Sequence, residues 1–247
     1  MPTPFEETMR WLERTGTARQ KAELARYGID APRAFGVSVG ALLRYAKSRP
    51  KDHALAAALW KTGRYEARLL AAMLDDPARV TRRQMDAWAR AFDNWGVCDT
   101  VVWHLFDHTP FAWEKARSYA ASKQEFVKRA GFAMMAGRVA RDRTSPDRPF
   151  LELLPLVERG AADDRHFVKK GVNWALRRLG GHSPALHAAA VALAKRLAAS
   201  PDPAPRWIGA DALRALAKGR PAEARARKAG ARKAAAKKAP ARKTARA

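Results

Sequence analysis

The chain has 247 residues and a net charge of +24, from 48 lysines and arginines against 24 acidic residues. Such an excess of positive charge favours a polyanionic partner, and nucleic acid is the most common one. The single cysteine, Cys98, excludes an intrachain disulfide framework, and we expect a cytoplasmic, nucleoid-associated protein. No segment approaches the roughly 18 consecutive apolar residues of a membrane helix.

The apolar residues of residues 1–219 recur with helical spacing along most of the sequence. Helices are predicted, in chain order, at 38–48, 53–63, 64–76, 81–93, 165–181 and 183–200. Ser183 followed by Pro184 is a typical helix start, and Gly180-Gly181 is a typical helix end. No alternating β-branched run competes with these helices, so we predict an all-α fold.

Three of the helical segments resemble one another. "FVKRAGFAMMAG" begins at Phe126, "FVKKGVNWALRRLG" at Phe167 and "WIGADALRALAKG" at Trp207, at offsets of 41 and 40 residues. A period near 40 in helical sequence is typical of HEAT-like repeats and predicts a solenoid with a concave basic groove. Residues at matching repeat positions would form a row of cations along the groove, namely Lys128, Arg129, Lys169 and Lys170. The alternative is that these charges are solvated on outer faces.

The composition changes near residue 219. Residues 220–247 contain 11 basic residues and one acidic residue, with no Leu, Ile, Val or aromatic residue. Such a segment cannot form a core, so we expect a disordered arm that binds nucleic-acid phosphates. Subtracting the arm's +10 from +24 leaves +14 on residues 1–219, which we expect to form a single folded domain that is itself basic.

The stretch "DNWGVCDTVVWHLF", residues 93–106, places a carboxylate between two indoles. Trp95, Asp99 and Trp103 are four residues apart, so they share one stripe of a helix. A carboxylate beside apolar surface needs a donor, a water or a positively charged ligand. One alternative is purely structural, since Asp99 could interact with the helix dipole or pair with an arginine. Trp103 taken alone is assigned to the core.

Other candidate sites are weaker. His104 and His108 have the spacing of two metal ligands on one helix, but no third ligand is evident, and we expect neither a metal nor another cofactor. Cys98 is interpreted as a small buried side chain rather than a nucleophile. There is no glycine-rich phosphate loop, so nucleotide hydrolysis has no support.

Taken in order, "DNWGVCD", "FVKRAGFAMM" and "FVKKGVNWALRRLGG" resemble the DNA alkylation repair family of AlkD-like DNA glycosylases, over roughly residues 20–218. The resemblance implies a HEAT-like fold that hydrolyses the N-glycosidic bond of cationic alkylated purines in duplex DNA, without fully flipping the base. It implies that Trp95, Asp99 and Trp174 are the catalytic residues. It also implies that Arg129 contacts the DNA backbone and that Tyr27 is the nearest counterpart of the family's N-terminal tyrosine.

The chemistry agrees with this resemblance. A cationic base leaves as a neutral molecule, so the charge that needs stabilising develops on the sugar, where a carboxylate such as Asp99 acts best and positions water. Gly96 is expected to loosen the first turn beside Trp95. Two alternatives stay open: a noncatalytic scaffold that recognises damaged or structured duplex DNA, and a HEAT-type protein-interaction adaptor. A monomer is the simpler expectation, since one chain supplies the whole groove.

Overall fold

The computed structural model describes residues 2–142 and 144–218, so the predicted arm at 220–247 lies outside the described residues. These residues form fourteen α-helices and no strand. The helices are α1 (Pro4–Thr15), α2 (Ala18–Arg26), α3 (Val39–Lys47), α4 (His53–Lys61), α5 (Tyr65–Leu74), α6 (Arg82–Arg90), α7 (Trp95–His104), α8 (Ala112–Ala120), α9 (Glu125–Arg141), α10 (Arg148–Leu151), α11 (Leu154–Gly160), α12 (His166–Leu179), α13 (Pro184–Ala198) and α14 (Pro203–Lys218). One turn of 3-10 helix, Phe106–His108, follows α7.

The helix boundaries follow local sequence signals. The hydroxyl of Ser183 accepts a hydrogen bond from the Leu186 N–H, and Pro184 occupies the first position of α13, as predicted. Helix α12 ends at Leu179, immediately before Gly180-Gly181. The all-α prediction is therefore confirmed over the described residues.

The helices form two rows. Helices α5, α7, α9, α12 and α14 pack in that order along a central row. The outer row packs against it: α4 packs on α5, α6 and α8 pack on α9, α11 packs on α12, and α13 packs on α14. Successive helix pairs thus bury each other's apolar faces, as in helical-repeat proteins.

The spacing of the central helices is uneven. They begin at Tyr65, Trp95, Glu125, His166 and Pro203, which gives steps of 30, 30, 41 and 37 residues. The predicted period near 40, which was based on Phe126, Phe167 and Trp207, corresponds to the last two steps, whereas the first two steps are shorter. The longer third step contains the additional short helix α10.

A buried carboxylate fixes the segment before α3. Glu66 is on α5, where all ten residues are buried, and it accepts hydrogen bonds from the backbone N–H groups of Phe35, Gly36 and Val37 at 2.8, 2.7 and 3.1 Å. A charged acceptor with three donors offsets its own desolvation. The segment between α2 and α3 is thereby tied to the most buried helix of the fold.

Candidate functional site

Helix α7 presents a narrow stripe of partly exposed side chains. Asn94 caps the helix by accepting a hydrogen bond from the Val97 N–H at 2.9 Å. Most of the intervening residues, including Val97, Cys98, Val101 and Val102, are buried. Trp95, Asp99 and Trp103 are partly exposed, at the first, fifth and ninth positions of the helix. The carboxylate therefore lies between two indoles on one face, as the spacing predicted.

Arg129, at the fifth position of α9, holds Asp99 in a bidentate ion pair. Its Nε donates to Asp99 Oδ1 at 2.9 Å and its Nη2 to Oδ2 at 2.7 Å, while Nη1 donates to the Phe167 carbonyl at 2.8 Å. Burial alone would lower the pKa of the Arg129 guanidinium, but the charge and hydrogen bonds of Asp99 outweigh it and raise that pKa. The structural alternative for Asp99, an ion pair with an arginine, is thus present in the fold.

The ion pair does not seal the carboxylate. The Arg129 side chain is 9% exposed, whereas that of Asp99 is 21% exposed. The guanidinium occupies one acceptor position on each carboxylate oxygen, and a carboxylate offers about four in all. Asp99 can therefore still face a water or a cation on its exposed side. Arg129, in contrast, has little surface left for a DNA phosphate.

Trp103 and Trp174 form a stacked pair that joins α7 to α12. Their ring centroids are 5.9 Å apart with an interplanar angle of 21°. Both indoles are partly exposed, so the assignment of Trp103 to the core is wrong. The guanidinium of Arg141 lies 5.2 Å from the Trp103 ring centroid and also donates to the Trp103 carbonyl. The regular spacing from Asp99 was the sequence signal that pointed to Trp103.

The rim of the site next to Trp95 is formed by the segment after α2. The indole Nε1 of Trp95 donates to the Tyr27 carbonyl at 2.8 Å, and the Tyr27 side chain is 61% exposed. Gly28 has a φ of +67°, a conformation that favours glycine, and a Cβ there would lie 3.9 Å from the Phe167 ring. Tyr27 is therefore brought to the site, beside Trp95 and the start of α12.

Gly96 has a packing role. A Cβ at this position would lie 2.6 Å from Tyr65 Oη and 2.9 Å from Ile29 Cδ1. In the structure Asn94 caps the first turn, and the Tyr27 carbonyl accepts a hydrogen bond from the Trp95 indole. Glycine instead allows α7 to approach α5 and the segment that carries Tyr27.

The structure divides the predicted row of cations. Lys128 Nζ lies 2.8 Å from Asp163 Oδ2, and Arg129 is paired with Asp99. A hydrogen bond from Arg165, together with Lys128, holds the pKa of Asp163 well below its usual range. Lys169 and Lys170 instead flank the Trp207 ring, with their Nζ atoms 5.3 and 5.5 Å from its centroid. The prediction of a continuous row of four equivalent cations is therefore wrong, because Lys128 and Arg129 form ion pairs with carboxylates of the same chain.

The remaining sequence candidates are structural. Cys98 is buried and its Sγ donates to the Phe126 carbonyl at 3.4 Å; burial raises the pKa of the thiol. Helix α7 ends at His104, so His108, in the 3-10 turn, does not continue the same helix. Burial is the main cause of the lowered pKa of His104.

No helix of residues 2–142 and 144–218 is long and apolar enough to cross a membrane.

Comparisons with known proteins identify the family and the fold of the chain. A solved structure described as a new family of proteins related to the HEAT-like repeat DNA glycosylases, with affinity for branched DNA structures, is 25% identical to this chain. The match has a TM-score of 0.70 and covers 78% of this chain and 83% of the other. A designed armadillo repeat protein in complex with a (KR)4 peptide is 14% identical, with a TM-score of 0.38, and covers 85% of this chain and 92% of that one. The second likeness is too weak to support an argument, and no curated protein matches the chain.

The model of the family described as DNA alkylation repair enzyme matches residues 8–218. This range includes the α7 stripe, Arg129, Trp174 and Tyr27. It also includes every helix of the central row. The chain therefore belongs to the DNA alkylation repair enzyme family, whose fold is that of the HEAT-like repeat DNA glycosylases.

Proposed function

We propose that this protein is a monofunctional DNA glycosylase, which hydrolyses the N-glycosidic bond of cationic alkylated purines in duplex DNA. The observation that carries the proposal is the partly exposed carboxylate of Asp99 between Trp95 and Trp103, held from its buried side by Arg129. The site consists of residues from one chain, so we propose a monomer as the active form.

Asp99 acts on the sugar. As the bond to a cationic base stretches, the base becomes neutral and positive charge develops on the deoxyribose, so no general acid is needed. The exposed side of the carboxylate faces this charge and positions the attacking water. Arg129 is a positioning residue, because its bidentate contact fixes the orientation of the carboxylate before the substrate arrives.

The indoles supply the walls of the site. Trp95 lies on one side of Asp99, and the stacked pair of Trp103 and Trp174 lies on the other. Each indole face attracts a cation by roughly 0.5–2 kcal/mol, an electrostatic contribution that a neutral base lacks. The same walls therefore bind the alkylated purine in preference to the unmodified one. Because Trp103 reaches Trp174, we add it to the three residues proposed from the sequence.

DNA binding rests on cations outside the ion pairs. Lys169 and Lys170 on α12 are candidates for phosphate contacts, and the exposed Tyr27 is a candidate for contact with the strand that passes Trp95. Lys128 and Arg129 contribute mainly through the potential of the surface, because their donors are engaged by Asp163 and Asp99. The basic residues of 220–247 would add sequence-independent affinity for phosphates.

The test is the release of free base from a duplex that contains one 7-methylated guanine, measured under single turnover with enzyme in excess. Wild type is expected to release the base, and Asp99→Asn to lose this activity. Asp86→Asn is the matched control, because Asp86 pairs with buried Lys115 at 2.7 Å on the outer row. If both substitutions reduce release equally, the loss reflects folding and the catalytic assignment is wrong.

The second candidate is a noncatalytic protein that recognises structured DNA. Its support is the neutralising contact between Arg129 and Asp99, together with the affinity for branched DNA stated for the related structure. Tight binding of a four-way junction, without base release by a correctly folded wild type, would favour this candidate. If the protein neither releases the base nor binds the duplex, a protein-interaction adaptor is favoured.

A further inference from the structure

A pocket of about 510 Å³ lies at the C-terminal end of the central row, between α12, α13 and α14. Its volume is within the range of small-molecule sites, which is about 300–1,000 Å³. The pocket is lined by an aromatic side chain on each of two helices, Trp174 and Trp207, and by basic residues of α12, among them Lys170 and Arg177. It contains an aromatic face and cations, which are the two features that bind single-stranded nucleic acid.

One polar group in the pocket has no partner. Asn173 is 4% exposed, and its Oδ1 accepts no hydrogen bond among the residues that the structure describes. Its Nδ2 donates to Asp211 Oδ2 at 2.7 Å. An unsatisfied buried acceptor lowers stability, because it has lost its hydrogen bonds to water without gaining a donor from the protein.

The charges around the pocket suit a nucleotide. Lys169 and Lys170 lie over the Trp207 ring, and the Arg177 side chain is 48% exposed, with Nη1 3.6 Å from Asp211 Oδ2. These cations outnumber Asp211, so the entrance attracts phosphate. The Asp211 carboxylate, whose side chain is 28% exposed, is the accessible acceptor of the pocket, and exocyclic amino groups of bases are the donors that such an acceptor binds.

We propose that this pocket holds a single unpaired nucleotide of bound DNA, with its base stacked on Trp207 and its phosphate at Lys169, Lys170 and Arg177. The exocyclic amine of the base donates to the partly exposed carboxylate of Asp211. Trp174 is shared between the pocket and the Asp99 site, because it lines the pocket and also stacks on Trp103. A DNA with a displaced or bulged nucleotide therefore binds more tightly than a fully paired duplex.

The proposal rests on the proposed function only in requiring that the chain binds DNA. It needs no catalysis at Asp99. A wild-type protein that prefers bulged DNA but does not release the base would overturn the glycosylase proposal and leave this one intact. The reverse outcome would overturn this one alone.

The experiment compares the Kd of a duplex carrying one bulged adenosine with the Kd of the same duplex fully paired, by fluorescence anisotropy. Wild type is expected to prefer the bulge by about 5- to 150-fold, the range that one base stacked on an aromatic side chain contributes. Trp207→Leu is expected to bring the ratio close to one. A ratio near one for the wild type would overturn the proposal.

Two further measurements protect the test against a folding defect. Arg177→Ala removes an exposed side chain and is expected to lower the ratio, whereas Arg196→Ala, an exposed and paired arginine of α13, is expected to leave it unchanged. Replacing the bulged adenosine by 2-aminopurine should give fluorescence quenching on binding that Trp207→Leu relieves. The assignment would be overturned if Arg177→Ala left the ratio unchanged and Trp207→Leu left the quenching in place. It would also be overturned if polyglutamate displaced the bulged duplex as readily as unlabelled bulged duplex does.

Discussion

Neutralising Asp99 and Arg129 separately and together distinguishes a catalytic carboxylate from a structural one. At about 4 Å and an effective dielectric constant near 20, a carboxylate stabilises a unit positive charge on the sugar by about 4 kcal/mol. The guanidinium behind it, at about 8 Å from the sugar, opposes this by about 2 kcal/mol. Asp99→Asn is therefore expected to slow base release by about 1000-fold. Asp99→Asn with Arg129→Met should slow it by only about 30-fold, because the opposing charge is also gone.

Stability is expected to follow the same pattern for a different reason. Asp99→Asn leaves the Arg129 cation buried without its counter-charge, which costs about 3 kcal/mol. For a domain of this size, that corresponds to a fall in Tm of roughly 6–12 °C. In the double variant no charge is left buried, so most of the loss is regained.

The assay is single-turnover release of 7-methylguanine below the Tm of all variants, with the folded fraction measured by circular dichroism. A double variant that releases base as fast as the wild type would refute the role of Asp99. So would an Asp99→Asn variant whose rate, corrected for its folded fraction, lies within a few-fold of wild type. Both results would assign the ion pair to the fold alone.

Three other predictions concern residues outside the Asp99–Arg129 pair. Gly96→Ala should destabilise the domain by about 1–3 kcal/mol in a thermal melt and shift Trp95 fluorescence, because the Cβ of the new alanine would overlap neighbouring side chains. Gly171→Ala is the control and should be tolerated in the same melt, because the nearest atoms to a Cβ there are 3.5 Å away. Burial raises the pKa of Asp107 to about 7, above its unfolded value of about 4, so ionisation costs stability as the pH rises through this interval. Asp107→Asn should therefore raise the Tm relative to wild type at pH 8 but hardly at pH 4, and an equal difference at both pH values would contradict the burial argument. Deleting residues 220–247 should make the slope of log Kd against log salt shallower by about 0.9 for each phosphate that the segment neutralises, and an unchanged slope would exclude a DNA-binding role for the segment.

The elements that depend on nearby residues could be predicted from the sequence. The Trp95–Asp99–Trp103 stripe needs only the helical period and a cap at Asn94, and both are local. The start of α13 at Pro184 and the end of α12 before Gly180 are local in the same way. These features were predicted correctly because no distant contact competes with them.

The features that depend on helix packing could not be predicted in this way. Asp99 meets Arg129 across 30 residues, and Trp103 meets Trp174 across 71, so neither partner follows from periodicity. The pairing of Lys128 with Asp163 also depends on helix packing. The repeat pattern could not predict it and therefore treated Lys128 as an unpaired cation of the groove. Only the position of α9 between α7 and α12 brings these groups together.

The unequal steps of the central row show that the number of residues between two central helices does not determine the geometry of the site. Arg129 reaches Asp99 over a 30-residue step and the Phe167 carbonyl over a 41-residue step, with the same guanidinium. The extra residues of the longer step are accommodated in α10, which packs on the outer helix α13, and in α11, which packs on α12 and α13, while α9 and α12 stay in direct contact. Insertions and deletions in those connections can therefore accumulate during divergence without moving the carboxylate, and sequence offsets are a poor guide to equivalent positions in distant homologues.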